Sequence, residues 1–143
     1  MEGFHPDTIA VAAGRPDRSD GRPVNTPISM SSTFHHFSGR DYIREGSETV
    51  CAFETALGAL DHGTAVAFSS GMAAISAVAE TLPAGARVVI PITLYSGAAQ
   101  LWEEQQALGK AVVVEVDMTD TSAALAALAS GANLLWQVPV ILL

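Results

Sequence analysis

The chain has 143 residues, enough for one small domain, and 49% of them are hydrophobic, mostly small aliphatics. Fifteen acidic residues against seven basic ones give a net charge of -8, which excludes the basic surface a nucleic-acid binder needs. No stretch approaches the ~18 consecutive apolar residues of a membrane span, and a single cysteine, Cys51, excludes an intrachain disulfide or a CxxC zinc site and suits a reducing, cytoplasmic setting.

Taken in chain order, residues 1–48 differ from the remainder. The start, Met1 to Asp7, has neither a cationic nor an apolar leader region, so no signal peptide is expected. Arg15, Arg18, Arg22 and Arg40 fall here, Pro16, Pro23 and Pro27 interrupt the chain, and no helical or strand period persists. An extended arm is expected. Its "PISMSSTFHHF" segment carries apolar and aromatic groups, so the arm should be ordered by packing on something else, such as another subunit.

From Thr49 the pattern becomes regular, and residues 49–143 read as one α/β domain. Apolar residues at Val50, Phe53, Leu57 and Leu60, between Thr49 and a terminating Gly63, predict an amphipathic helix. "TAVAF" (64–68) reads as a short strand, residues 71–82 as a helix, and Pro83-Ala84-Gly85 as a break. Strands then alternate with helices: strand 87–91, helix 96–109, strand 111–117, helix 121–130 and strand 133–140. Continuously apolar strands with helical crossovers predict a parallel sheet flanked by helices on both faces.

The turn Ser69-Ser70-Gly71-Met72, between an apolar run and a helix, leaves several backbone N–H groups without intrahelical partners. Such a helix start favours an anion, and Gly71 lets a ligand approach closely. Ser70 could equally serve as an ordinary helix cap. Neither G-x-x-x-x-G-K-[ST] nor G-x-G-x-x-G is present, which removes the main support for an NTPase or a dinucleotide binder. Tyr95 follows the strand 87–91, where ligands of open α/β sheets collect. Its ring and the Gly71 turn together would suit a planar aromatic ligand carrying a phosphate. Alternatively, Tyr95 is only an amphipathic residue at a strand end.

The motifs "YIREGSET", "FETALGALDHGTAVAFSSGMAAISAV", "VVIPITLYSGAAQLWEE" and "VVEVDMTD", with "TIAVAAGRPDRSDGRPVNTPISMSSTF" before them, are in order and at the right spacing. Together they resemble the Cys/Met metabolism family of pyridoxal-phosphate enzymes, which includes cystathionine γ-synthase, the cystathionine lyases and methionine γ-lyase. The likeness runs from about Thr8 to Trp136. It implies an incomplete fold type I large domain, a homotetramer built of tight dimers, and pyridoxal 5'-phosphate as cofactor. It also implies roles: Gly71 and Met72 present backbone N–H groups to the cofactor phosphate beside Ser70, and Tyr95 stacks on the pyridine ring and assists proton movement. Tyr42 and Arg44, matching the family's Tyr-x-Arg pattern, reach the phosphate of a neighbouring subunit, where a guanidinium suits phosphate oxygens. Where the family commonly has Asn-Pro-Thr, this sequence has Ser47-Glu48-Thr49.

Pyridoxal chemistry needs a lysine for covalent attachment and a carboxylate at the ring nitrogen. The only lysine, Lys110, precedes a strand and is expected to be a surface charge. The family's lysine and aspartate correspond to positions after residue 143. After "LLW" the family continues with a segment like Glu-Ser-Pro-Ser-Asn-Pro, whereas here Gln137-Val138-Pro139-Val140-Ile141-Leu142 follows. A codon set for that stretch, read one base out of phase, encodes Ser-Pro-Ser-Asn-Pro, so a frameshift near Gln137 or a deliberate cut is expected.

The other candidates carry structural expectations. His35 and His36 read as polar surface, with no metal site. Cys51 is expected to be buried as a small hydrophobe. Glu54, Asp61 and Asp117 are read as helix-end or strand-end polar groups, and Trp102 as helix packing. The functional expectation is the N-terminal part of an enzyme acting on sulfur amino acids by elimination or replacement at Cγ or Cβ, inactive by itself. Alternatives are a non-catalytic module that pairs with an intact paralogue, and a phosphate-ligand binding domain without chemistry.

Overall fold

The computed structural model describes residues 3–36, 39 and 41–137. The chain divides into two compact units, Met1–Ala67 and Phe68–Leu143.

In the first unit the arm contains a short helix that periodicity does not reveal, α1 (Pro6–Ala12), with proline in its first turn and Ile9 buried. Proline suits that position because the N–H it lacks has no intrahelical partner there. α1 packs on α2 (Glu48–Leu60). Gly14 follows with φ +73°, and a Cβ there would stand 2.2 Å from the Ala52 carbonyl oxygen, so the chain leaves α1 in close contact with α2. Farther along the arm Thr33 bridges Tyr42 antiparallel, ahead of a 3₁₀ turn at Ile43–Glu45. Helix α2 starts at Ser47 rather than Thr49: the Val50 N–H donates to Ser47 Oγ at 3.1 Å. Serine and asparagine cap helices about equally well, so the departure from Asn-Pro-Thr keeps the cap. Thr49 instead fastens the arm, donating to the Pro27 carbonyl and accepting the Ser29 N–H, both at 2.9 Å.

Residues 64–68, expected as a strand, form no strand in the structure. A strand is stabilised by its ladder, and among the described residues no neighbour offers one to this segment. The Ala67 N–H ties it to α2, donating to Glu54 Oε1 at 2.7 Å.

The second unit carries the expected alternation: α3 (Gly71–Glu80), β1 (Ala86–Pro91), α4 (Ser96–Ala107), β2 (Ala111–Val116), α5 (Thr121–Ala129) and β3 (Leu134–Leu135). The sheet is parallel, in the order β2-β1-β3, with Val88 opposite Val113 and Leu134. Adjacent residues Val88 and Val89 are both 0% exposed, so central strand β1 is covered on both faces, which explains its unbroken apolar run. Val88 and Ile90 pack with Ala79 of α3, Trp102 of α4 and Ala111, against which Trp136 also lies. Trp102 is a core residue, 1% exposed, with its ring centroid 6.2 Å from that of Trp136 in an edge-on contact. β3 is shorter than the expected strand 133–140: pairing ends at Leu135, the Trp136 N–H still reaches the Val89 carbonyl at 2.8 Å, and residues 138–140 lie outside the described residues.

Candidate functional site

Near its C-terminal end helix α3 packs Ala79 into the core cluster with Val88, Ile90, Trp102 and Ala111. At its C-terminal end Glu80 Oε1 lies 3.7 Å from Lys110 Nζ, beside the start of β2. A helix whose last turn sits at the strand starts directs its first turn toward the strand ends. Gly71 therefore opens toward the C-terminal edge of the sheet, the edge to which β1 delivers Tyr95.

The first turn of α3 shows how the serine cap and the ligand reading coexist. Ser70 is the N-cap, and its Oγ accepts the Ala73 N–H at 3.1 Å; its carbonyl accepts the Ala74 N–H at 3.2 Å. The Gly71 and Met72 N–H groups come before the intrahelical ladder begins. Among the described residues no acceptor meets them. The Ser70 hydroxyl, already accepting, keeps its own hydrogen as a donor. A Cβ at Gly71 would find nothing within 4 Å, so the approach to these donors is open.

Tyr95 occupies the N-cap position of α4, where its side chain makes no capping hydrogen bond. The residue is 63% exposed. A Cβ built on Gly97 would lie 2.9 Å from Tyr95 Cε1 and 3.0 Å from Met72 Sδ, so the tyrosine ring and the Met72 side chain converge on one point at the start of α4. The structure thus brings Gly71, Met72 and Tyr95 to one edge of the second unit. Gly97 is a residue that sequence reasoning did not single out. Nothing local in the sequence marks it: the reason for the glycine is the tyrosine ring and the Met72 sulfur beside it.

Tyr42 and Arg44 lie in the first unit, on the 3₁₀ turn. Arg44 Cζ stands 4.6 Å from the Tyr42 ring centroid, a cation–π pair that holds both side chains together at the surface. Glu45 Oε2 braces the turn, accepting the Asp41 N–H at 2.7 Å and the Tyr42 N–H at 3.4 Å. Those hydrogen bonds, that of Asp41 first, hold the Glu45 carboxyl below its ordinary pKa.

The remaining candidates are polar supports or corrections. Asp117, just after β2, accepts the Thr119 hydroxyl and N–H, which lower its pKa in that order. Asp120 caps α5 by accepting from Ser122 and Ala123, and its pKa is lowered chiefly by the Ser122 hydroxyl. Asp61 is the C-cap of α2. His36 Nδ1 lies 3.2 Å from Asp41 Oδ1, and both side chains are exposed. Among the described residues no group of three or more His, Cys, Asp or Glu gathers as a metal site would require. Cys51 is exposed, against the expectation of burial: it lies on α2 and lines an open cavity together with residues 14–27 of the arm. No helix among the described residues is long and apolar enough to cross a membrane.

Comparison with known proteins bears on what this edge serves. The sequence profile of a family described as "Cys/Met metabolism PLP-dependent enzyme" matches residues 7–137. Cystathionine gamma-synthase of Mycobacterium leprae is 36% identical over 138 residues, covering 90% of this chain and 35% of that protein. Cystathionine beta-lyase MetC of Bacillus subtilis is 38% identical over 113 residues, covering 73% and 29%. Among solved structures, apo CalE6, a methionine gamma lyase from Micromonospora echinospora, superposes with a TM-score of 0.81 at 30% identity, covering 95% of this chain and 38% of that one. The chain thus spans only 29–38% of the length of these three relatives.

Proposed function

We propose, from the premise that this chain belongs to the Cys/Met metabolism family of PLP-dependent enzymes, that it forms the phosphate-holding and ring-stacking part of a pyridoxal 5'-phosphate site acting on sulfur amino acids. The observation that carries this reading is the pair of unaccepted N–H donors at Gly71 and Met72 opening beside the exposed Tyr95 ring. A phosphate is an anion with several acceptor oxygens and suits a helix start. A pyridine ring suits an offset stack on tyrosine. The residues present therefore fit the phosphate and one face of the ring.

In the proposed mechanism, Gly71, Met72 and the Ser70 hydroxyl donate to the phosphate and fix the cofactor's position at the helix start. Tyr95 covers one face of the ring, excludes water from that face, and lends its phenol to proton movement near the reacting carbon. Tyr42 and Arg44 supply a charge-assisted contact to the phosphate of a neighbouring subunit's site. When bound, pyridoxal phosphate supplies the electron sink for elimination or replacement at Cγ or Cβ of a sulfur amino acid. Within residues 1–143 the sole lysine, Lys110, is paired with Glu80 at the opposite end of the sheet. This stretch by itself therefore holds the cofactor without covalent attachment and turns over no substrate.

A titration tests the reading. Pyridoxal phosphate added to the purified chain should give saturable induced circular dichroism, without the absorbance band of a lysine adduct. Gly71→Glu, which sets a carboxylate beside the phosphate, should weaken binding at least tenfold. Equal binding by Gly71→Glu and the parent chain, or release of keto acid from cystathionine by the chain alone, contradicts the proposal.

Assembly with a second copy or an intact relative is a second reading, supported by α2. The face its sequence pattern marks for burial, Val50, Phe53, Leu57 and Leu60, is exposed, Phe53 by 58%. An apolar helix face of this kind ordinarily meets another element. The lone Cys51 is in keeping with a cytoplasmic setting.

A further inference from the structure

We propose that Gly97 is a positioning residue, whose missing side chain leaves the seat in which the Met72 thioether and the Tyr95 ring meet and which sets the direction of that ring. The backbone does not call for glycine here. Gly97 has ordinary helical geometry at the second position of α4, where alanine is the better helix former. The space does call for it. A Cβ would stand 2.9 Å from Tyr95 Cε1, closer than carbon tolerates, and at a tight 3.0 Å from Met72 Sδ and 3.3 Å from Tyr95 Cζ, so the ring must shift to admit it. Two side chains, one from the first turn of α3 and one from the N-cap of α4, already fill that place.

The seat matters because little else holds the ring. Tyr95 is 63% exposed and its side chain caps nothing. Contact between a thioether and an aromatic edge is favourable, and methionine adapts its shape to the ring. The position of Met72 is in turn fixed by the same helix turn whose N–H groups face outward. The seat therefore couples the ring to the phosphate donors: Met72 offers its N–H on one side and its sulfur to Tyr95 on the other. Filling the seat with one methyl group pushes the exposed ring outward, the direction of least resistance, while α3 and α4 stay formed.

The test uses the full 143-residue chain and Gly97→Ala. In the parent chain, NMR should show a nuclear Overhauser contact between the Met72 methyl and the Tyr95 ring, with the methyl resonance shifted by the ring current. In Gly97→Ala both signatures should be lost while the melting temperature is unchanged or raised, as a better helix former requires. This ring measurement needs no ligand. A second arm rests on the pyridoxal-phosphate reading: Gly97→Ala should weaken binding about tenfold, the scale of one lost aromatic stack. Against a Tyr95→Ala background it should cost nothing further. Retention of the methyl–ring contact in Gly97→Ala overturns the proposal, as does a lowered melting temperature or an equal loss of binding in both backgrounds. If the parent chain binds no pyridoxal phosphate, the function proposed above fails and the ring measurement still decides the role of Gly97.

Discussion

The two units of this chain are held together in different ways. In the second, β1 is buried on both faces and its partners Trp102, Ala79 and Ala111 are nearly inaccessible, so apolar packing fixes the scaffold that carries Gly71 and Tyr95. In the first, Ile9 is the buried large side chain, and the arm is fastened by polar ties at single residues: Thr26 to Gly14, Thr49 to Pro27 and Ser29, Glu45 to Asp41. Packing energy is spread over many atoms and polar ties are concentrated in a few. The scaffold should therefore fail through volume changes, and the arm through the loss of single hydrogen-bonding groups.

That contrast can be broken most severely in the second unit. Trp102→Ala removes the largest buried side chain and should cost about 3–5 kcal/mol, read by urea unfolding with Trp136 as the remaining reporter. A loss under 1 kcal/mol would mean that the core does not depend on it. In the first unit Ser47→Ala removes a buried cap, with Ser47 1% exposed, and should cost about 1 kcal/mol, visible as helix loss by circular dichroism. Phe53→Ser, on the exposed face of α2, should change monomer stability by less than about 0.5 kcal/mol yet reduce self-association in sedimentation velocity. A large loss of stability there would show that the face is covered within the chain.

The smallest expected effect is set by pH. The Glu45 carboxyl has a lowered pKa in the folded turn, so its contribution is full above the ordinary glutamate range and is lost as pH falls through that range toward the folded value. The protection of the Asp41 and Tyr42 amides, taken against the exchange rate of unstructured chain at the same pH, should fall on acidification below about pH 4. Glu45→Gln should flatten that dependence. Protection that persists undiminished through the acid range in the parent chain would remove Glu45 as the brace of the Tyr42–Arg44 turn.

The scaffold was largely legible in the sequence because parallel strands buried on both faces read as unbroken apolar runs, as in "RVVIP", and their helices end at glycines such as Gly109. The site was legible in part: Ser70-Gly71-Met72 announces a helix start, but only coordinates show that the cap satisfies Ala73 and leaves Gly71 and Met72 as donors. Gly97 was overlooked because a glycine near a helix start carries no local signal, and its cause is a ring and a sulfur from elsewhere. Helix α1 has seven residues, too few for a period to register, and rests on one buried isoleucine. Segment 64–68 has the composition of a strand, yet pairing is a property of neighbours that composition does not encode.

The central claim is that the start of α3 and the Tyr95 ring serve one phosphorylated, planar ligand. Amide resonances of the ¹⁵N-labelled chain, followed during additions of pyridoxal phosphate and separately of phosphate-free pyridoxal, test it most directly. The account predicts that Gly71 and Met72 move downfield with the phosphorylated compound alone, in step with a shift of the Tyr95 ring protons. Unmoved Gly71 and Met72 amides at saturation, or identical responses to both compounds, would contradict it.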